Sequence, residues 1–128
     1  MSTNLAVLKE LREIKQILIE IKEKKSYFCQ VWVSCRDEAE ASNIANTLLD
    51  KKLIVCAKQF PVKSQFIWQG QKHSDSEIML LMDSREDLFD EVQDVIVDKH
   101  SYETPNIQAT PITLVSKSTA VWMNRELK

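Results

Sequence analysis

Residues 27 to 34 read Tyr-Phe-Cys-Gln-Val-Trp-Val-Ser, and the chain then runs through Cys35-Arg36-Asp37-Glu38 into Ala41, Ile44, Ala45, Leu48 and Leu49. In the first stretch Tyr27, Cys29, Val31 and Val33 fall on one face and Phe28 and Trp32 on the other. That period of two is a strand. In the second stretch apolar residues recur every three or four positions, which is a helix opened by Asp37 and Glu38. A strand feeding an amphipathic helix is the first half of a β-α-β unit, so the next apolar runs decide the fold.

Leu53 to Phe60 is rich in strand formers and is interrupted by Pro61. Val62, Ser64, Phe66 and Trp68 then alternate with Lys63, Gln65 and Gln69. This predicts a second strand, either paired with the first run as a hairpin or continuing it past a bulge. Gln69-Gly70 makes the turn, and Ile78, Leu80 and Met82 alternate in a third strand region. Ser84, with Asp87 three positions on, resembles a capping box for a helix whose stripe is Leu88, Phe89, Val92, Val95 and Ile96. Ile107 to Val115 reads as the last strand, with Pro111 arguing for an edge position or a bulge. Ser118 is the expected cap of a short terminal helix carrying Val121 and Trp122. The order βαββαβ plus a C-terminal helix is an α+β, ferredoxin-like split βαβ domain over residues 26–128. Its helices cover one sheet face, so Phe28, Trp32, Phe66 or Trp68 project from the other, which predicts a partner and most simply a symmetric homo-oligomer.

Residues 1–25 form a separate unit. Val7, Leu11, Ile14, Leu18 and Ile21 alternate steps of four and three, the spacing of a coiled-coil seam, with Leu8 and Ile17 beside it. Two readings stay open: an amphipathic helix lying across its own domain, or a seam shared between chains, to which Leu at a and Ile at d give a preference for three or four strands.

The whole 128-residue chain has 44% apolar and 28% charged residues, with 17 basic against 19 acidic side chains. This is room for one core. The near-neutral balance, with no basic cluster beyond Lys22, Lys24 and Lys25, predicts no nucleic-acid partner. Charges at Lys9, Glu10, Arg12, Glu13 and Lys15 break up what would be a signal-peptide core. No apolar run approaches a membrane span. Cys29, Cys35 and Cys56 are therefore expected as free thiols in a reducing cytoplasm. Gly70 is the only glycine, so no Walker loop or Rossmann fingerprint can be assembled.

Several of these segments resemble the CutA divalent-ion tolerance family. They are Val31-Trp32-Val33-Ser34-Cys35 with Asp37-Glu38, Leu53-Ile54-Val55-Cys56-Ala57, Phe66-Ile67-Trp68-Gln69-Gly70, Ser76-Glu77, His100-Ser101-Tyr102-Glu103-Thr104-Pro105, and Trp122. The likeness runs from about Phe28 to Leu127. Ser101 replaces a signature proline, Asp83 stands where the family usually has lysine, the usual glycine before the last helix is missing, and the N-terminal helix is extra. Nothing in the spacing brings a nucleophile to a base or pairs two carboxylates, so no enzyme is expected; the resemblance implies a homotrimer that binds copper or another divalent metal ion. A PII-like trimeric sensor of small molecules or nucleotides is the alternative.

As metal ligands the resemblance points to Cys35, Cys56 and His100; thiolate suits Cu(I) and imidazole Cu(II) or Zn(II). The competing reading makes the cysteines small buried hydrophobes, Cys29 above all. For an inter-subunit cleft the resemblance points to Trp68, Glu77, His100, Tyr102 and Glu103. Against that stands a plain helix terminus with His100 favouring the dipole. His73 reads as a solvated loop residue.

Overall fold

The computed structural model describes residues 2–23 and 27–128, and within the first helix the side chains of residues 4–19. The helices are α1 (Ser2–Glu23), α2 (Glu38–Asp50), α3 (Phe89–Lys99) and α4 (Lys117–Glu126). The strands are β1 (Phe28–Cys35), β2 (Cys56–Trp68), β3 (Gln71–Arg85) and β4 (Ile107–Pro111). They form one antiparallel sheet in the order β2-β3-β1-β4. This is the ferredoxin-like split βαβ arrangement, with β3 inserted between the two strands that α2 connects.

The alternation of β1 does what its period requires. Cys29, Val31, Val33 and Cys35 are buried, while Phe28, Gln30, Trp32 and Ser34 are half-exposed on the opposite face. Cross-strand register sets Val31 beside Met82 and Val33 beside Leu80. Ala41, Ile44 and Leu48 of α2 and Val92 and Ile96 of α3 close over them, all fully buried. Each of the larger side chains contributes roughly 1.5–3 kcal/mol by leaving water. Every buried side chain among the described residues lies between Cys29 and Leu127, so residues 27–128 own their core.

Four expectations about boundaries are corrected. The apolar run after Leu53 is neither a hairpin nor a bulged pair: β2 is one strand from Cys56, and Pro61 sits in register opposite Ile78. Pro61 is tolerated because β2 is the sheet edge, where a missing N–H leaves no neighbour unpaired. Ser84 caps no helix. It is the penultimate residue of β3, fully buried, and its hydroxyl donates to the Leu53 carbonyl at 2.6 Å. Ser116, not Ser118, caps α4 by accepting from the Thr119 N–H. The last strand ends at Pro111 rather than Val115, and β4 occupies the opposite sheet edge.

The β2–β3 hairpin is longer than the sheet that supports it. β1 pairs with β3 only from Ile78 onward, so the pairs from Val62–Glu77 to Trp68–Gln71 extend beyond β1 as a two-stranded ribbon. Gln69 and Gly70, both with positive φ, close it in the two-residue turn that matches strand twist. His73 is a ribbon residue rather than a loop one, stacked on its cross-strand partner Phe66 with centroids 5.5 Å apart. The even-numbered residues of β2 face the same side as Trp32, so Phe60, Phe66 and Trp68 join Phe28, Met79 and Leu81 on the helix-free face.

The side chains of α1 from Asn4 to Ile19 are all exposed, which overturns the reading in which this helix lies across its own domain. Ile21 lies outside the described side chains. The expected boundary at residue 25 falls in residues 24–26, outside the described residues.

Candidate functional site

The β1–α2 junction and the end of α3 meet at one place. Asp37 is extended, and its carboxylate accepts the Glu40 N–H at 2.8 Å, which starts α2. Glu40 is the third residue of that helix, where a capping-box acid turns back on the chain that enters it. Its Oε1 accepts from the Arg36 N–H and its Oε2 from the Ser101 N–H, each at 2.9 Å. One buried carboxylate thereby ties the start of α2 to the loop after α3. Burial alone raises this carboxyl, but the Arg36 and Ser101 bonds and the nearby His100 outweigh it and hold it below its ordinary value.

His100 ends α3, its N–H bonded to the Ile96 carbonyl, and its ring is completely buried. Nε2 lies 2.8 Å from the Ser34 carbonyl, and Nδ1 accepts the Tyr102 N–H at 3.1 Å. A carbonyl only accepts, so the two bonds together require the proton on Nε2. Cys35 is the last residue of β1. Its thiol is pushed up to about 12, by burial first and then by the charges of Glu40, Glu77 and Asp37. The ligand atoms of Cys35, Glu40 and His100 all lie within 4.8 Å of one another.

Tyr102 extends this cluster outward. Its ring tilts against His100 with centroids 4.7 Å apart, and its hydroxyl donates to Glu77 Oε2 at 2.7 Å. Burial, the Glu77 bond and nearby carboxylates all raise the phenol, so Tyr102 stays the donor. Beside Glu77 an open groove of about 510 Å³ separates Arg36 and Asp37 from Pro61 and Lys63 of β2.

The expected site residues thus divide. Cys35 and His100 come together, and Glu77 and Tyr102 join them by direct contact. Cys56 does not: its strand partner is Asp83, five residues along β3 from Ile78, the partner of Cys35. That is roughly 16 Å at the rise of a strand. Cys56 instead accepts from Lys58 Nζ at 3.4 Å. Trp68 sits at the ribbon tip, six residues from Glu77 by the same measure and roughly 20 Å away. Glu103 is exposed in the loop after His100. Cys29 is buried, and its thiol is pushed up to about 11 by burial and then by Glu86, Asp87 and Asp83, as a packing residue would be. Sequence reasoning missed Glu40, though Asp37-x-x-Glu40 is the spacing of a capping box and pointed to it.

Comparison with known proteins decides the family. The profile described as CutA1 divalent ion tolerance protein matches residues 29–126, from β1 through α4. The chain belongs to the CutA1 family. The divalent-cation tolerance protein CutA of Archaeoglobus fulgidus is 35% identical over 98 residues, covering 77% of this chain and 96% of that protein. The chloroplastic CutA protein of Arabidopsis thaliana is 27% identical over 99 residues, 77% of this chain and 54% of that one. Among solved structures, a periplasmic divalent cation tolerance protein CutA from Archaeoglobus fulgidus superposes with a TM-score of 0.77 at 34% identity, covering 79% of this chain and 99% of that one. The Thermus thermophilus divalent cation tolerance protein gives a TM-score of 0.77 at 25% identity, with 79% and 99% covered. Helix α1 precedes the span that the CutA1 profile matches.

Proposed function

We propose that this CutA1 protein is a non-enzymatic homotrimer of the cytoplasm that takes copper, or another divalent ion, at Cys35, Glu40 and His100. The observation that carries the reading is the convergence of a thiol, a carboxylate and an imidazole within 4.8 Å, all buried, in a divalent-ion tolerance family. A mixed S, O, N donor set favours copper over the other divalent ions of the first transition row. The closed network sets the terms of binding. Cys35 must lose a proton held to about 12, and His100 must give up one of its two ring bonds. Binding is therefore coupled to proton release and strengthens as pH rises.

The ribbon supports the trimer. A two-stranded hairpin alone is marginal in water. This one leaves Phe66 40%, Ile67 66% and Trp68 39% exposed. A neighbouring subunit that covers them also brings a Trp68 within reach of another subunit's Glu77 and Tyr102, completing a cleft with Glu103 at its rim. The chemistry of the cluster supports the non-enzymatic reading: a thiol held protonated is a poor nucleophile, and a carboxylate that accepts two backbone N–H bonds and is held below its ordinary value is a poor proton acceptor. Three free cysteines suit a reducing compartment. The nucleotide-sensor alternative has no cradle to offer, since the one glycine closes the ribbon turn.

Calorimetric titration with copper tests the site. Cys35→Ser and His100→Ala are expected to weaken binding at least about tenfold each, the effect of losing one ligand's roughly 1.4 kcal/mol or more. Cys56→Ser is expected to leave it unchanged. If the Cys35→Ser/His100→Ala protein remains trimeric and binds copper as the parent does, the ligand assignment is wrong.

A further inference from the structure

We propose that α1 is one strand of a parallel three-stranded coiled coil, its apolar stripe covered by the α1 helices of two further copies of this chain. The exposed row is Val7, Leu11, Ile14 and Leu18, with Leu11 56%, Ile14 53% and Leu18 59% exposed. Ile21 continues the same register in the sequence. Steps of four, three and four place Leu11 and Leu18 at a and Val7 and Ile14 at d. Leucine at a with β-branched residues at d disfavours the two-stranded parallel form and suits three or four strands.

Charge supplies the direction. In this register Glu10 occupies g and Lys15 occupies e. In parallel helices in register, Glu10 faces the partner subunit's Lys15 five positions on, a pair of opposite sign. Copies related by a three-fold axis run parallel by symmetry. Helix α1 also lacks internal support. Its 22 residues span roughly 33 Å at 1.5 Å per residue, and none of its side chains from Asn4 to Ile19 is covered. Its first turn carries no acidic residue. Val7, Ile14, Ile17 and Ile19 are stiff, modest helix formers, and a lone helix of this kind is marginal in water. The inference goes beyond the assembly of the body proposed above and shares with it only the three-fold symmetry.

The test uses the full chain, the variants Ile14→Asp/Leu18→Asp, Glu10→Lys and Glu10→Lys/Lys15→Glu, and residues 27–128, which hold their own core. Sedimentation equilibrium reads the assembly and ellipticity at 222 nm the helix. With 22 residues against 13, 11 and 10 in the other helices, α1 supplies about two fifths of the helical signal. Two aspartates in a dry seam are expected to remove that share and to raise the dissociation constant at least about tenfold. Glu10→Lys is expected to weaken assembly, and the charge-swapped double variant to restore it. If Ile14→Asp/Leu18→Asp matches the parent in both readings, the seam does not exist. The seam is equally refuted if that variant loses only co-sedimentation with anionic lipid vesicles, since the stripe then serves a lipid surface. If the swap fails to restore what Glu10→Lys loses, the parallel register is overturned. If residues 27–128 fail to fold, α1 belongs to its own subunit and the proposal falls. A trimeric 27–128 chain combined with loosened seam variants supports both assemblies. A monomeric 27–128 chain beside a trimeric parent refutes the body's assembly and leaves the seam standing.

Discussion

Replacing Glu40 tests the network that holds the site. Its two oxygens accept from the Arg36 and Ser101 N–H groups at 2.9 Å inside a residue only 7% exposed. A hydrogen bond to a buried charged group contributes roughly 1.5–3 kcal/mol. Glu40→Ala removes both and strands two donors, for an expected loss of roughly 3–6 kcal/mol, a large part of the roughly 5–15 kcal/mol typical of a domain. Glu40→Gln keeps one acceptor and turns an amide nitrogen towards the other N–H, so its expected cost is about half of that. Urea unfolding followed by tryptophan fluorescence at fixed subunit concentration reads the difference at pH 7. The pH dependence gives an independent check. The carboxyl is held below its ordinary 4.5 in the folded chain, so the unfolded chain takes up its proton first as the solution is acidified. The contribution is complete above 4.5 and is lost as pH falls through the folded value. The gap between parent and Glu40→Gln should therefore shrink in acid. A Glu40→Gln protein within about 0.5 kcal/mol of the parent at pH 7, or a gap that stays constant into acid, refutes the network.

The thiols set the opposite limb of the pH profile. Burial first, and then nearby carboxylates, push the Cys29 and Cys35 thiols up to about 11 and about 12 from an ordinary 9.0, so their contribution to stability is full below pH 9 and is lost as pH rises towards those values. Melting temperature should decline over that window, less steeply in Cys35→Ala, and identical slopes would contradict the buried-thiol account. Phe66→Asp lies at the ribbon and outside the core, so far-UV ellipticity should survive. Assembly should weaken about tenfold or more, the equivalent of the roughly 1.5–3 kcal/mol a buried phenylalanine contributes, and a trimer as tight as the parent would exclude the ribbon from the interface.

Most of the fold was legible because its strongest signals are local and periodic. The alternation from Tyr27 to Ser34 and the stripe from Ala41 to Leu49 marked a strand and an amphipathic helix, and Pro111 an edge position or a bulge; the strand lies inside the sheet, the helix covers it, and Pro111 ends the edge strand. The misreadings arose where a residue has two uses. Pro61 reads as a break, yet an edge strand accommodates it. Ser84 has the chemistry of a cap, but Leu53 offers a buried carbonyl, and a hydroxyl inside the core must find a partner. At the site, Cys35 and His100 were legible as residue types suited to metal. Glu40 carried only the capping-box spacing from Asp37 as a local signal, because its second partner, Ser101, lies 61 residues away and only the fold brings it near. Cys56 was indistinguishable from Cys35 in sequence. Strand register separates them.

The most direct measurement is anomalous diffraction from a copper-soaked crystal of the full chain. The account predicts a three-fold assembly with a copper peak bonded to Cys35 Sγ, a Glu40 carboxylate oxygen and His100, at the roughly 2.0–2.3 Å usual for oxygen, nitrogen and sulfur ligands, and with the Ser34 or Tyr102 bond to His100 broken. Copper bound elsewhere, with the Cys35–Glu40–His100 network intact, would contradict it.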